Sequence, residues 1–327
     1  MTNRNLDTEL QRFDDFFQNT APGLFRVTQL ESHAFRLAPR DGGLAPRDKS
    51  LGLTLMGLTH GNEVAGLAVL NDLLGFLAAS PALLNFPMGF VLGNPQAARA
   101  NRRFVECDLN RSFARSSATL LEERRARSLE TVLAQSAFFI DFHQTTEPCE
   151  TAFFIFPYTE HTYRFARASE ARLPIITHWG DPFSAEGRCT DEYTLSKGGT
   201  GITIELGQNG FGAYHVAAGF KAAIQAIGVV AGILAGTAVP ESEGIPELYT
   251  WAKIYPWPEG EVQLVEGWYN FKKVSKGDQL GVINGREFRS EFDGRVLFPK
   301  YLRGPEATKP TELIRIMRKI DARDLGA

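Results

Sequence analysis

His60 and Glu63 stand three residues apart just behind the apolar run LGLTLMGL at 51–58, and His143 closes a second apolar run, AFFIDF, further along the chain. Two imidazoles and one carboxylate make the open ligand set of a hydrolytic zinc site, with the fourth position left to water. Taken alone, His-x-x-Glu has a plainer reading: a turn histidine followed by an acid that favours a helix N-terminus. The accompanying residues tilt the reading toward a metal. Asp141 lies two residues before His143, so a strand would put both on one face. There it could take the second N–H of a metal-bound imidazole; a buried acid satisfied by backbone donors would look the same in the sequence. Glu205 alternates with Ile202, Ile204 and Leu206 in GITIEL. An acid in a buried strand is costly unless paired or functional, and this one is placed to act as a general base; a salt bridge to an arginine is the structural alternative. The segment 94–113, NPQAARANRRFVECDLNRSF, is rich in arginine and amide side chains. Arg103 and Arg111 are its candidates for substrate contact. One guanidinium could polarise a carbonyl and hold the developing oxyanion, and another could grip a carboxylate through a two-point fork. Arg99 and Arg102 read as solvated.

These groups need elements that bring them together. Residues 51–58 read as a buried strand, 63–76 as a helix with Val64, Leu67, Leu70 and Leu74 on one face, and 87–92 as a strand closed by Asn94-Pro95. Residues 115–135 read as a helix, 137–142 and 201–206 as further strands. Alternating strands and helices predict an α/β fold, a mostly parallel or mixed sheet flanked by helices, with ligands gathered beyond the strands' carboxyl ends. His60, Glu63, His143 and Glu205 all fall at such ends. After residue 240 the chain turns into short, turn-punctuated β segments. The expectation is a catalytic domain over 1–240 and a smaller β-rich domain over 241–327, joined by a linker at Pro240–Pro246.

Composition narrows the classes. A formal net charge of −3 gives no reason to expect nucleic acid or an anionic membrane as partner. The polar, acidic start lacks the apolar core of a secretory signal. The apolar stretch 219–236 is barely long enough to span a bilayer, carries Lys221 and Gln225 on one face, and reads as a helix packed on a sheet. Cys107, Cys149 and Cys189 are odd in number and widely spaced, which points to a reduced, cytoplasmic protein.

Read jointly, GLTHGNE (57–63), NP (94–95), RRFVECDLNRSF (102–113), DFHQTT (141–146) and IELGQNGFG (204–212) resemble the aspartoacylase and succinylglutamate desuccinylase family, a branch of the zinc carboxypeptidase-like fold. The resemblance covers most of residues 50–215, and the β-rich tail looks like that family's C-terminal domain. It implies one zinc per chain held by His60, Glu63 and His143, with Glu205 as general base toward the water. It also implies Arg103 as the carbonyl-polarising arginine and Asn110 with Arg111 as the binders of an amino acid α-carboxylate. The implied reaction is hydrolysis of a small N-acyl amino acid, in a site whose mouth the C-terminal domain narrows. Two departures stand out. The aspartoacylase arginine that reads the aspartate side chain falls on Leu195 here, with Lys197 or Arg188 as replacements, and Tyr301 is the nearest match to the family's C-terminal tyrosine. VSKGDQLGVING and FDGRVLFP resemble lipoyl-carrier-like turns without a carrier lysine, and so imply a structural barrel. A peptide-cutting carboxypeptidase would share the carboxylate clamp, and a silent zinc-binding protein would share the metal set. Glu205 and Arg103 favour chemistry over mere binding. No partner beyond the small substrate, or further copies of the chain, is expected.

Overall fold

The run read as the first strand lies at the centre of the sheet, and all seven of its residues, Leu51–Gly57, are buried. Burial without alternation is what a strand covered on both faces requires. The computed structural model describes residues 4–178, 183–184, 187–237, 244, 246–303 and 310–326. Its helices are α1 (Leu6–Asp15), α2 (Ala21–Leu24), α3 (Ala65–Ala79), α4 (Pro95–Arg99), α5 (Leu121–Ala134), α6 (Glu160–Ser169), α7 (Thr190–Ser196) and α8 (Ala213–Leu234). The first strands are β1 (Arg26–Glu31), β2 (Ala34–Ala38), β3 (Leu51–Gly57), β4 (Met88–Leu92) and β5 (Ser136–Thr145). Then come β6 (Phe153–Pro157), β7 (Ile175–His178), β8 (Thr200–Gln208), β9 (Leu248–Pro256) and β10 (Val262–Leu264). The last are β11 (Lys273–Val274), β12 (Gln279–Ile283), β13 (Arg286–Arg289), β14 (Gly294–Leu297) and β15 (Glu312–Ile320).

Twelve strands join one sheet in the order β1-β2-β4-β3-β5-β8-β6-β7-β9-β15-β14-β11, and β10-β12-β13 form a second. The centre, β4-β3-β5-β8, is parallel, while β6 runs antiparallel to β8 and the outer pairs are antiparallel. Helices cover both faces. Leu53, Leu55, Ile140, Phe142, Ile202 and Ile204 pack beneath α3 and α8, whereas Met56, Val91 and Phe139 pack beneath α5 and α7. The molecule is thus α/β, with a large mixed sheet flanked by helices.

The expected elements are present with shifted ends. The helix read from Arg115 begins at Leu121, because the Glu123 carboxylate takes the amides of Thr119 at 2.9 Å and Leu120 at 3.0 Å and ends the preceding turn there. The helix read from Glu63 begins at Ala65, since Glu63 turns its carboxylate elsewhere. Helix α8 is long and apolar enough to cross a membrane by length and composition. Val216, Gly219, Ala222, Ala223, Ala226, Ile227 and Val230 are its buried face, and the apolar ones among them belong to the core shared with α3. The β1–β2 hairpin and α1 were not anticipated.

From residue 248 the described chain is strands and turns up to a short 3-10 helix at Ala322–Gly326. Strand β9 pairs parallel with β7 (Ile175↔Leu248) and antiparallel with β15, so the main sheet continues into this part. A separate apolar cluster of Tyr255, Leu264, Trp268, Leu280, Val296 and Ile316 sits within it. Of the linker expected at Pro240–Pro246, residues 240–243 and 245 lie outside the described residues.

Helix α7 brings a second carboxylate into the core. Asp191 is buried, accepts from the Glu192 amide at 2.8 Å and the Thr203 hydroxyl at 3.1 Å, and has its pKa pushed up to about 7 by burial, with Glu192 adding to the rise. A carboxyl whose folded pKa exceeds its unfolded value favours the native state least once ionised. Its cost therefore grows as pH rises from about 4 through 7. We expect Asp191→Asn to come close to the native chain near pH 4 and to exceed it near pH 8 by on the order of a few kcal/mol; urea unfolding of both chains at both pH values is the measurement, and the same difference between them at the two pH values would refute the account.

Glycine is required at one point of the site loop. A Cβ on Gly61 would fall on the backbone of Ala97 and Ala98, whereas one on Gly75, within α3, meets nothing within 4 Å. Gly61→Ala should cost about 1–3 kcal/mol through overpacking. Gly75→Ala should add roughly 0.5–1 kcal/mol by helix propensity. Thermal melts of the two variants would read opposite signs.

Candidate metal centre and active site

The parallel register sets the site. β3 pairs with β5 through Gly57↔Phe142, and β5 pairs with β8 through His143↔Glu205. The carboxyl ends of three adjacent strands therefore meet at one level. Past β3 the chain turns at Leu58 (φ 57°), and the Gly61 amide donates to the Arg103 carbonyl at 3.1 Å. The turn carries His60 and Glu63 back over the sheet.

All three residues of the histidine–glutamate set are buried, and their ligand atoms lie within 4.8 Å of one another. His60 Nδ1 is 2.8 Å from Glu63 Oε1, His143 Nδ1 is 2.9 Å from Glu63 Oε2, and the two Nδ1 atoms are 3.2 Å apart. Each Nε2 faces a different carboxylate, Asp108 at 3.0 Å for His60 and Asp141 at 2.8 Å for His143. A carboxylate only accepts, so each Nε2 carries its hydrogen toward Asp108 or Asp141, and each Nδ1 then either holds a second proton toward Glu63 or offers its lone pair to a cation. Two lone pairs and a carboxylate aimed at one point repel unless a cation or proton sits among them. The donor set therefore fits a metal ion, and its types (N, N, O) suit a divalent ion of the zinc group.

The electrostatics agree. Burial resists charge on Glu63, but His60 and His143 outweigh it and hold the carboxyl well below its ordinary range. Burial likewise opposes a charged His143, and Asp141 and Glu63 raise it well above the ordinary imidazole value. The cluster is built to hold positive charge at its centre.

Asp141 is fully committed: besides His143 it accepts from the Thr59 hydroxyl at 2.7 and 2.9 Å and the Thr190 hydroxyl at 2.7 Å. Asp108, which the sequence reading passed over, does for His60 what Asp141 does for His143. It also receives Arg103 Nη2 at 3.1 Å and caps the Asn110 amide at 2.8 Å. Burial raises its pKa, yet Arg103 and His60 bring it well below the usual carboxylate range. The only sequence signal was an acid inside an arginine-rich loop, between Arg103 and Asn110. Gln144 was also missed. Its side-chain oxygen accepts the Ala65 amide at 2.8 Å, and its NH2 donates to the Gln208 carbonyl at 2.7 Å, tying the ends of β5 and β8 to the start of α3.

Arg103 reaches Glu63 Oε1 at 3.1 Å with 40% of its side chain still exposed, so its guanidinium spans from the cluster to the opening. Glu205 is buried beside it, and one of its oxygens has no hydrogen-bond partner. Burial pushes its pKa up to about 7; His143, Arg103 and Lys300 pull it down and Glu63 pushes it further up. The Asn110 side-chain oxygen accepts the Thr190 amide at 3.0 Å, which fixes the 109–111 turn against α7. Arg111 donates to the Asn110 carbonyl at 2.7 Å and to Cys189 Sγ at 3.2 Å, with its guanidinium 5.1 Å from the Phe183 ring centre.

Three further candidates from the sequence have contacts of their own. Arg188 makes a backbone bridge to Phe113. Lys197 is exposed at the end of α7, 5.1 Å from the Tyr193 ring. The Tyr301 hydroxyl accepts the Trp268 amide and donates to the Val265 carbonyl, each at 2.9 Å, within the C-terminal part. Its neighbour Lys300 has a shifted ammonium. Burial pushes its ammonium down to about 8, Arg103 adds to the push, and Glu205, Glu63 and Glu312 oppose it. Nothing in the pattern FPKYLRG marked this lysine over the tyrosine.

Known proteins share both sequence and architecture. Residues 50–227 match the description succinylglutamate desuccinylase/aspartoacylase catalytic domain. A succinylglutamate desuccinylase of Pseudomonas fluorescens is 30% identical over 209 residues, 58% of this chain and 59% of that protein. The match thus reaches about three fifths of the relative's length. Among solved structures, the succinylglutamate desuccinylase of Chromobacterium violaceum superposes with a TM-score of 0.69 at 20% identity, over 95% of this chain and 98% of that one. Murine aminoacylase 3 gives a TM-score of 0.58 at 19% identity, over 84% and 97%. These two likenesses speak for the fold, while the matched domain covers more than half of the chain and contains every residue of the site except Lys300. The chain belongs to the succinylglutamate desuccinylase/aspartoacylase family.

Proposed function

We propose that this protein is a zinc-dependent amidohydrolase that removes the acyl group from a small N-acyl amino acid. The observation that carries the reading is the meeting of His60, Glu63 and His143 donor atoms with a buried Glu205 whose carboxylate oxygen is left unbonded. The names of the relatives, succinylglutamate desuccinylases among them, support the same class of substrate.

Zinc held by His60, Glu63 and His143 would supply Lewis acidity, both to polarise the amide carbonyl and to acidify a water. Asp108 and Asp141 keep the imidazoles in the ligating tautomer through Nε2. Glu205 Oε2, free of other bonds, takes a proton from the attacking water and returns it to the leaving nitrogen. Its raised pKa lets it both accept and release that proton near neutrality. Arg103 offers its guanidinium to the carbonyl oxygen as negative charge develops there. Asn110 and Arg111 hold the amino acid's α-carboxylate. The C–N bond breaks, water supplies OH to the acyl carbon and H to nitrogen, and a carboxylate and a free amino acid leave. Residues 241–327 act as a unit that narrows the entrance. Supporting this, Arg303 pairs with Glu147, just past β5, at 3.2 Å, and Asn270 donates to the Glu147 and Pro148 carbonyls, each at 3.0 Å. Such a strap favours small substrates over extended peptides.

Amine release from N-acetyl, N-succinyl and N-formyl amino acids tests the activity. Release from one of them should stop with chelator and return with zinc; activity indifferent to chelation, or none with zinc bound, would sink the reading. Glu205→Gln should keep about one zinc per chain by metal analysis while turnover falls roughly 10²–10⁴-fold. Near-native turnover in that variant would remove Glu205 as the base.

A further inference from the structure

Between Arg103 and Asp108 the chain has no strand or helix to lean on, and its amides converge on one carboxylate. Glu122, in the first turn of α5, is wholly buried. Its Oε1 accepts the Val105 amide at 2.6 Å and Asn94 Nδ2 at 3.0 Å, and its Oε2 accepts the amides of Glu106 and Cys107, each at 3.1 Å. Burial raises its pKa, and the Val105 amide, the Asn94 side chain and the amides of Cys107 and Glu106 bring it below the ordinary carboxylate value. A buried charge is costly unless donors satisfy it. Here four N–H donors do so, helped by the start of a helix.

These bonds hold the middle of the loop, because its ends are fastened otherwise. Before the span, the Arg102 amide donates to the Ala97 carbonyl at 3.0 Å, and the Arg103 carbonyl receives the Gly61 amide at 3.1 Å. After it, the 109–111 turn is tied to α7 through Asn110 and Thr190. The Glu106 carboxylate returns the clasp by accepting the Leu121 amide. The two residues that flank the clasped amides both reach the metal cluster. Arg103 meets Glu63 at 3.1 Å, and Asp108 meets His60 Nε2 at 3.0 Å and Arg103 Nη2 at 3.1 Å. Glu122 acts on them through the backbone of 105–107.

We propose that Glu122 is a positioning residue for the hydrolysis: its carboxylate sets the path of residues 104–107, and through it the placement of the Arg103 guanidinium and of the Asp108 carboxylate on His60 Nε2. The assignment rests on the amidohydrolase reading for the roles of Arg103 and His60. The 109–111 turn keeps its own bonds to α7 when Glu122 is changed, so the loss falls on turnover and spares the binding assigned to Asn110 and Arg111.

The test uses the full-length, zinc-loaded protein, labelled with nitrogen-15 in its histidines, and whichever of the N-acetyl, N-succinyl and N-formyl amino acids the native chain hydrolyses. Glu122→Gln keeps the shape of the side chain but turns an NH2 toward donors. It should lower kcat by about 10–100-fold, with KM near native and zinc retained. In the spectra, the His60 Nε2–H signal, identified by its loss in Asp108→Asn, should weaken through exchange with solvent, while the His143 signal held by Asp141 stays. Glu9→Gln is the control for lost stability: Glu9 is a buried carboxylate engaged by Arg4, Arg12 and Asn71. It should lower the melting temperature and leave kcat and both signals native. Glu122→Asp keeps the anion and shortens its reach by one methylene; it should fall between the native chain and Glu122→Gln, and it carries the same test should Glu122→Gln not fold. Native kcat and a native His60 signal in a folded Glu122 variant overturn the proposal, and so does an equal loss of kcat in Glu9→Gln. Loss of the His60 signal in Glu122→Gln, when the native chain hydrolyses none of the three substrates, would overturn the amidohydrolase reading and leave the hold of Glu122 on Asp108 standing.

Discussion

Three electron-pair donors aimed at a single buried point make an arrangement that is unfavourable by itself, and most of the molecule's particular features are arranged to impose it. Two imidazole nitrogens lie 3.2 Å apart with a carboxylate oxygen within 2.9 Å of each. They stay there because Asp108 and Asp141 dictate the tautomers and because the Gln144 amide holds the Glu63 carboxylate at 3.0 Å. A protein that needed only a stable core would not bury this cluster at the ends of its most apolar strands. A divalent cation among the three groups would relieve that repulsion.

The sheet supplies the rigidity. β3, β5 and β8 are parallel neighbours, so a fixed register sets His143 beside Glu205 and the turn after β3 above both. Every first-rank group of the site is held by backbone on at least one covered strand or by a turn pinned to one. Arg103 and Arg111 come from a loop and are positioned by the acids and amides of that same loop, above all Asp108. This division would suit the proposed roles, since metal ligands tolerate little displacement and groups that meet a substrate benefit from reach.

The C-terminal strands add what the central sheet lacks. They extend the main sheet through β9 and are fastened through Asn270 and Arg303 to the loop after β5. The Tyr301 hydroxyl is spent on the backbone of their own turns.

Much of this was legible in the chain alone. Apolar runs long enough to be buried strands, each ending in His60, His143 or Glu205, located the strand-end crevice and its chemistry, because side-chain period and strand burial are local properties. The α/β class followed from the same alternation. Other features were not legible, for a common reason: they depend on distant segments meeting. Asp108 gains meaning only when the loop folds back onto His60, 48 positions away in sequence. Helix α5 starts late because the Glu123 side chain turns back to the preceding amides, a competition propensity does not foresee. Tyr301 spends its hydroxyl on Trp268 and Val265, 33 and 36 positions away in sequence. The sequence by itself determined which residues could do chemistry and at which strand ends. Tertiary structure alone decided which charges were neutralised by neighbours and which were left unpaired, since that balance is set by long-range packing.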